Sequence, residues 1–118
     1  MKITRLESRI VEIPVMSPYV YSHGVLKAFS NVLVWIHTDE GIVGIGEASF
    51  VPGGGVSEET PESTKPMIDR YLAPEVVGED PFDIERIHQK MDAAVPRNLV
   101  AKCGIDLALW DVMGKAQD

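Results

Sequence analysis

The sequence of 118 residues has one cysteine, few aromatic residues and fewer basic than acidic side chains. A single cysteine excludes an internal disulfide, so the pattern does not indicate a disulfide-stapled secreted scaffold. Eleven lysines and arginines against 18 acids give a formal net charge of −7, which argues against nucleic acid or an anionic membrane as the main partner. No apolar run approaches the ~20 residues of a membrane span, and Met1-Lys2-Ile3-Thr4 does not resemble a signal peptide. We therefore expect a cytoplasmic protein.

What is present is ordinary globular composition. Hydrophobic residues make up 45% and charged residues 25%, and the length suits one domain over residues 1–118. A β-rich first part and a helix-rich second part meet at a glycine-rich joint, Gly53-Gly54-Gly55. These features predict an α+β fold.

The first part reads as three strands joined by short connections. Strand-like alternation of apolar residues covers 2–15, 31–38 and 42–48. Asp39-Glu40-Gly41 is a turn signal, so the last two strands form an antiparallel hairpin. The alternation changes phase at Ser8 to Ile10, which predicts a bulge or a strong twist. Pro14 predicts that the first strand ends close by, since proline cannot donate to a central ladder.

Prolines and capping residues delimit the helices. Thr60-Pro61 and Asp80-Pro81 each combine an N-cap with proline at the first helical position. Pro66 predicts a kink or a late start of the first helix. We expect Pro74 and Pro96 to end the first and second helices, respectively.

The last helix, predicted over 99–117, carries apolar residues on two nearly opposite sides. Between them lie two polar stripes, in which Lys102 with Asp106 and Asp111 with Lys115 have the spacing of weak ion pairs. A helix with two apolar faces has to be covered twice. We expect the preceding elements to cover one face well and the other only in part. One face is Leu99, Val100, Cys103, Leu107 and Trp110; the other is Ala101, Ile105, Leu109, Val112 and Ala116.

The residues supply no self-sufficient catalytic constellation. Gly44-Ile45-Gly46 lacks the rest of a phosphate-binding fingerprint, so we interpret these glycines as strand positions packed under a covering helix or ring. His37 and His88 are interpreted as structural, and no zinc-ligand spacing occurs. Cys103, among leucines, is expected to be a buried thiol. We therefore assign no catalytic and no metal-binding residue.

Four segments nevertheless resemble the N-terminal capping domain of the mandelate racemase/muconate lactonizing enzyme family of the enolase superfamily. The longest is the helix segment from Ala101 to Lys115, and the resemblance extends through the whole chain in order. The other segments are Met1-Lys2-Ile3-Thr4, the run from Val32-Leu33-Val34 through Thr38-Asp39-Glu40-Gly41 to Ala48, and Val77-Gly78-Glu79-Asp80-Pro81.

The resemblance implies a three-stranded antiparallel meander followed by about three helices. In this family such a domain sits over a modified TIM barrel, whose carboxylates hold Mg²⁺ and whose lysines or histidines move protons. The reaction is abstraction of the proton α to a carboxylate, as in racemases, epimerases, cycloisomerases and dehydratases. The barrel and its Mg²⁺ ligands are not expected within these 118 residues, so the chain alone is expected to be inactive.

The resemblance also implies two loops that close over a small-molecule carboxylate once a barrel is present. They map here to 17–28 and 49–56, and the candidate substrate contacts are Tyr19, Tyr21, His23, Phe50 and Val51. An alternative function is a free-standing interaction or self-association module with no catalytic role. The face of the last helix that the preceding elements leave uncovered favours a homo-oligomer, formed by this helix or by the two loops.

Overall fold

The computed structural model describes residues 1–22, 24–50 and 58–118. An antiparallel sheet of order β1-β2-β3 is followed by helices, which confirms the predicted α+β meander. The strands are β1 (Ile3–Tyr21), β2 (Gly24–Thr38) and β3 (Val43–Ala48). The helices are α1 (Pro61–Met67), a π-helical turn (Ile68–Leu72), α2 (Ala73–Val76), α3 (Ile84–Ala94) and α4 (Leu99–Ala116). No helix in these described ranges is long and apolar enough to span a membrane.

The hairpin of β1 and β2 is much longer than predicted. The expected loop at 17–28 is wrong, because most of this segment forms the outer part of the hairpin, with Tyr19 opposite Leu26 and Tyr21 opposite Gly24. Pro14 does not end β1, because β1 is an edge strand and a residue there needs no N–H on its free side. The register instead shifts between Pro14 and Tyr19.

The predicted bulge at Ser8 to Ile10 is also wrong. Pairing with β2 runs without interruption from Arg5 to Pro14, and the other shift lies between Ile3 and Arg5. The alternation of apolar residues was misleading because Ser8 occupies a position that faces the helices. It is 6% exposed, and its hydroxyl donates to the carboxylate of Asp69. Ile10 lies farther along the hairpin and is 43% exposed.

The core lies between one face of the sheet and the helices. Val32, Val34 and Ile36 of β2 are completely buried and face the inner side of α4. Burying one such aliphatic side chain contributes about 1.5–3 kcal/mol. The remaining buried hydrophobic members are Ile3, Ala48, Phe50, Ile68, Leu72, Val76, Ile87, Met91, Val95, Ala101, Ile105, Ala108, Leu109 and Val112.

The first helical element confirms its predicted start but not its end. Thr60 caps α1 through a reciprocal pair of hydrogen bonds with Ser63. Pro66 lies inside α1, and the chain then loosens into the π-helical turn, closed by a bond from Ala73 N–H to the Ile68 carbonyl. Pro74 does not end the element. It lies in the first turn of α2. Backbone N–H groups in a first turn have no acceptor within the helix, so proline, which lacks an N–H, is tolerated there.

The helix predicted to follow Asp80-Pro81, observed as α3, starts later than predicted and ends as predicted. Its N-cap is Asp83, because Asp80 forms a preceding turn in which its side chain accepts a 2.9 Å hydrogen bond from Phe82 N–H. Helix α3 ends at Ala94, two residues before Pro96. The last helix was predicted over 99–117 and is observed as Leu99–Ala116.

Candidate functional site

The outer part of the hairpin presents an aromatic surface. The rings of Tyr19 and Tyr21 stack with centroids 6.5 Å apart and planes inclined by 21°. Both belong to β1, where residues two apart lie on the same face of a strand. Tyr19 is 62% exposed, so this predicted contact residue is open to a ligand.

Two shallow concavities adjoin these rings. One, of about 250 Å³, is lined by Tyr19, Tyr21, Leu26 and Phe29. The second, of about 500 Å³, shares Tyr19 and Phe29 with the first, so the two concavities form one continuous, mainly apolar surface. Its other lining residues are Ile13, Pro14, Val15, Met16 and Ser17.

The other three predicted contacts are placed differently. Phe50 is 5% exposed and belongs to the core, and its N–H donates to the Asn31 side chain at 3.0 Å. As placed here, its side chain supports the end of β3 and is not open to a ligand. His23, Val51 and the glycine-rich joint at 53–55 lie outside the described residues.

The described histidines bind neighbouring side chains, in agreement with a structural role. His37 Nε2 lies 2.9 Å from Glu7 Oε1 and 3.1 Å from Arg5 Nη2. The contact with His37 is the main cause that lowers the pKa of Glu7, and the positive charge of Arg5 adds to it. His88 Nε2 lies 2.7 Å from Asp106 and so joins α3 to α4.

The glycines of β3 allow a close approach of α4. A Cβ on Gly44 would lie 2.3 Å from the Ala108 carbonyl oxygen, and one on Gly46 would lie 2.0 Å from the Gly104 carbonyl oxygen. The interpretation of these glycines as packing positions under a helix is therefore confirmed, and no turn of a phosphate loop is formed here.

The polar side chains of α4 bind groups of the neighbouring elements. Asp111 and Lys115 pair at 2.8 Å as predicted. Asp111 also accepts the Ile45 N–H at 2.8 Å, and Lys115 donates to the Val43 carbonyl at 2.8 Å. The hydrogen bonds from Lys115 and from the Ile45 backbone lower the pKa of Asp111. These contacts satisfy polar groups of β3, an edge strand, and the sequence reasoning missed them.

The predicted pair of Lys102 with Asp106 is wrong. Lys102, 5% exposed, donates to the Val95 carbonyl at 2.7 Å and to Asp92 at 2.9 Å, while Asp106 contacts His88. Both side chains therefore bind groups presented by the preceding helix and its end. A helical spacing of four permits an ion pair but does not exclude stronger partners from another element.

A carboxylate from a distant segment caps α4. Glu59 accepts hydrogen bonds from Val100 N–H at 3.0 and 3.1 Å and from Ala101 N–H at 3.2 Å. The local N-cap, Asn98, has a left-handed backbone with φ of 53°, and its side chain donates to the Pro96 carbonyl. Negative charge at a helix N-terminus is favourable because the first N–H groups have no intrahelical partner. The sequence reasoning did not find this contact.

The second apolar face of α4 is exposed in the described domain, as expected. Leu99 is 71%, Leu107 45% and Trp110 57% exposed. Cys103 is exposed as well, so the expectation of a buried thiol is wrong, because its face is the one that the sheet does not cover. A groove of about 400 Å³ runs along this face, lined by Leu99, Val100, Cys103, Leu107, Glu47 and Ser49.

The described residues contain no group of three or more histidine, cysteine, aspartate or glutamate side chains arranged to hold a metal ion. The Mg²⁺ that the resemblance implies therefore does not fit this part of the chain. The outer part of the hairpin carries exposed aromatic surface at Tyr19.

Known proteins share the sequence pattern and the architecture of this chain. The family described as mandelate racemase / muconate lactonizing enzyme, N-terminal domain, matches residues 5–118. N-succinyl-L-Arg/Lys racemase of Bacillus cereus is 37% identical over 115 residues, which cover 98% of this chain and 31% of that protein. Its crystal structure superposes with a TM-score of 0.93 over 100% of this chain and 31% of that chain.

Two further relatives carry other activities in their names. Chloromuconate cycloisomerase CbnB of Cupriavidus necator is 39% identical over 98% of this chain and 31% of its own length. A dipeptide epimerase of Enterococcus faecalis, solved with Mg and the dipeptide L-Leu-L-Tyr, is 32% identical with a TM-score of 0.90, covering 99% of this chain and 32% of its own. The chain thus spans about a third of the length of the relatives it matches.

Proposed function

Since this chain belongs to the mandelate racemase/muconate lactonizing enzyme family, as its N-terminal domain, we propose that it caps the substrate site of an enzyme that abstracts the proton α to a carboxylate. The observation that carries the proposal is the match over residues 5–118, together with relatives named as racemases, epimerases and cycloisomerases. The finer activity and the substrate belong to the whole enzyme and are part of the proposal.

The described side chains are suited to contacting a substrate and not to abstracting its α-proton. Abstraction of an α-proton requires a base and stabilisation of the enolate charge. Among the residues that the structure describes, no candidate metal cluster is present, and His37 and His88 contact neighbouring side chains. We therefore propose that the chain alone is inactive, and that Mg²⁺ acts only in the context of a longer enzyme.

The hairpin is the proposed substrate-contacting surface. Tyr19, which is 62% exposed, and Tyr21 present aromatic area at the outer end of the paired hairpin, which suits exclusion of water from a closed site. Phe50 takes part indirectly, by fixing the end of β3 in the core. His23 and Val51 remain predicted contacts.

Activity measurements test this proposal. The isolated chain with Mg²⁺ is expected to show no racemisation of N-succinyl-L-arginine and no cycloisomerisation of muconate. A chimaera in which residues 1–118 replace the matching third of the Bacillus cereus racemase is expected to racemise N-succinyl amino acids. Mg²⁺-dependent turnover by the isolated chain, or a folded chimaera with no activity on any N-succinyl amino acid, would contradict the proposal.

A second candidate function is a self-association module, favoured by the exposed face of α4. Leu99, Leu107 and Trp110 form an apolar surface of the kind that monomers rarely leave open. Under this candidate the chain forms homo-oligomers, and Leu107→Glu lowers the sedimentation coefficient. Phe82→Glu, which changes a 43% exposed residue outside α4, is the control. Sedimentation of the unmodified chain as a monomer at every concentration would remove this candidate.

A cytoplasmic location is likewise proposed, consistent with the single cysteine.

A further inference from the structure

We infer that Asn31 is a positioning residue, which fixes the two segments predicted to contact the substrate relative to each other. The inference rests on the proposed function, because these segments are the ones that meet the substrate in a whole enzyme. One is the outer part of the hairpin, and the other is the second predicted loop, of which Ser49 and Phe50 are described. Asn31 acts through its bond to Phe50 and not by touching the substrate.

Asn31 lies where the sheet narrows from three strands to two. The pairing of β2 with β3 ends at Val32 and Ala48, and Asn31 is the next residue of β2. The pairing of β2 with β1 continues from Val11 and Asn31 to the outer end of the hairpin. Asn31 is therefore at the base of the outer hairpin and beside the point at which the chain leaves β3.

The Asn31 side chain continues the work of the strand backbone at this point. Its Oδ1 accepts a hydrogen bond of 3.0 Å from the N–H of Phe50, two residues after the last paired residue of β3. If the register of the two strands continued, Phe50 would lie opposite Ser30 of β2. A side-chain oxygen on the hairpin thus holds the chain after it has left the ladder, and this bond joins the two predicted contact segments directly.

The bond is shielded from water. Asn31 and Phe50 are each 5% exposed, and the Phe50 side chain belongs to the core. A buried N–H without an acceptor is costly, so loss of the Asn31 oxygen favours movement of Phe50 towards water. Such a movement displaces the start of the second predicted loop relative to the hairpin. Substrate binding depends on the placement of the groups around it, so the displacement weakens binding.

A purely structural hydrogen bond is the competing interpretation, and Thr38 supplies the comparison. Thr38 is 8% exposed at the other end of β2, where its hydroxyl accepts from the Ile42 N–H at 3.2 Å and donates to the Ile42 carbonyl at 2.9 Å. A smaller folded fraction lowers the apparent kcat and leaves KM unchanged, whereas misplaced contact segments raise KM. The separate changes in kcat and KM therefore distinguish the two interpretations.

The kinetic test uses the chimaera with the Bacillus cereus racemase and the N-succinyl amino acid that it racemises fastest. We expect Asn31→Ala to raise KM about tenfold and to change kcat by less than about threefold. Asn31→Asp keeps an oxygen that accepts the Phe50 N–H and should recover most of the lost affinity. Thr38→Val, the matched control, should leave KM unchanged. An unchanged KM in Asn31→Ala, or a KM in Asn31→Asp as high as in the alanine variant, overturns the inference.

A distance measurement on the chain itself tests the positioning without activity. Spin labels attached at Val20→Cys and Ser49→Cys, both exposed positions, report the separation of the two segments by double electron–electron resonance. Cys103→Ser removes the natural exposed thiol from this background. We expect Asn31→Ala to broaden the distance distribution and Thr38→Val to leave it unchanged.

Failure of this inference is distinguishable from failure of the proposed function. An active chimaera whose KM does not respond to Asn31→Ala overturns the inference and leaves the capping role intact. A folded chimaera with no activity contradicts the capping role instead. If the chimaera is inactive or does not fold, the spin-label distances decide whether Asn31 holds the two segments. Equal distance distributions in the unmodified background and in Asn31→Ala overturn the inference.

Discussion

Glu59 and Val100 are 41 residues apart in the chain, and the carboxylate of the first binds the backbone N–H of the second with both oxygens. The contact ties the segment that leads into α1 to the start of α4. It stands in for the local cap that Asn98 does not supply, since the Asn98 side chain is directed to Pro96. The start of α4 is therefore fixed by a residue that lies outside the helix.

Removing this cap should destabilise the whole domain. Glu59→Ala leaves the N–H groups of Val100 and Ala101 without the carboxylate, and Ala101 is completely buried. We expect a loss of about 1–3 kcal/mol in the free energy of unfolding, measured by urea denaturation. Glu58→Ala removes an equal charge from the exposed preceding residue and should change stability little. Equal effects of the two substitutions would show that the hydrogen bonds contribute nothing.

Two glycines with opposite surroundings, Gly46 and Gly114, make a paired test of packing. Gly46→Ala places a methyl group 2.0 Å from the Gly104 carbonyl oxygen, a backbone atom that moves only with α4. We expect destabilisation of about 3 kcal/mol or more. Gly114→Ala meets no atom within 4 Å in the described domain and should stabilise α4 by about 0.5–1 kcal/mol. Thermal unfolding of both variants measures the contrast, and a tolerated alanine at position 46 would refute the close approach.

Acid should remove the contribution of Asp111. Its pKa is lowered in the folded state, chiefly by the hydrogen bonds from Lys115 and the Ile45 N–H. Its stabilising contribution is therefore complete above its ordinary pKa of 3.8 and is lost as the pH falls through the lower, folded value. The stability difference between the natural chain and Asp111→Asn, measured in urea, should shrink below about pH 4. A difference that stays constant with pH would contradict the ionic origin of the effect.

One buried hydroxyl offers a stabilising substitution. Thr64 Oγ1 in α1 is inaccessible and has no hydrogen-bond partner among the described residues, while its side chain is completely buried. Thr64→Val keeps the branched shape and removes the unsatisfied polar atom. We expect the free energy of unfolding to stay equal or rise by about 1 kcal/mol. Thr64→Ser keeps the hydroxyl, loses a methyl group and should be less stable than the natural chain. A clear loss of stability in the valine variant would indicate that the hydroxyl has a partner.

The local features of the fold were predictable from the sequence. The turn at Asp39-Glu40-Gly41, the cap at Thr60 and the limits of α4 depend on neighbouring residues, so their patterns identified them. The outer hairpin was not predictable from the rule applied to Pro14. That rule concerns central strands, and the position of β1 at the edge of the sheet is a property of the tertiary fold.

The contacts of the candidate site and of α4 could not be predicted in the same way, because they join residues that are distant in the sequence. The periodicity of α4 predicted two apolar faces but not which one the sheet would cover, so Cys103 was assigned to the wrong environment. Lys102 had two acids within reach, and only the placement of α3 selected Asp92. Tyr19 is a candidate contact by resemblance alone, whereas its stacking on Tyr21 follows from a strand that the sequence reasoning ended too early.

The contacts of Asp111 and Lys115 with β3 also bear on aggregation. An open strand edge is a template for pairing with another chain, and here Ile45 N–H and the Val43 carbonyl are already occupied by side chains of α4. Fibril-like stacking through this edge would first require α4 to detach. Conditions that loosen α4, acid among them, should therefore promote self-templated assembly before the sheet itself is lost.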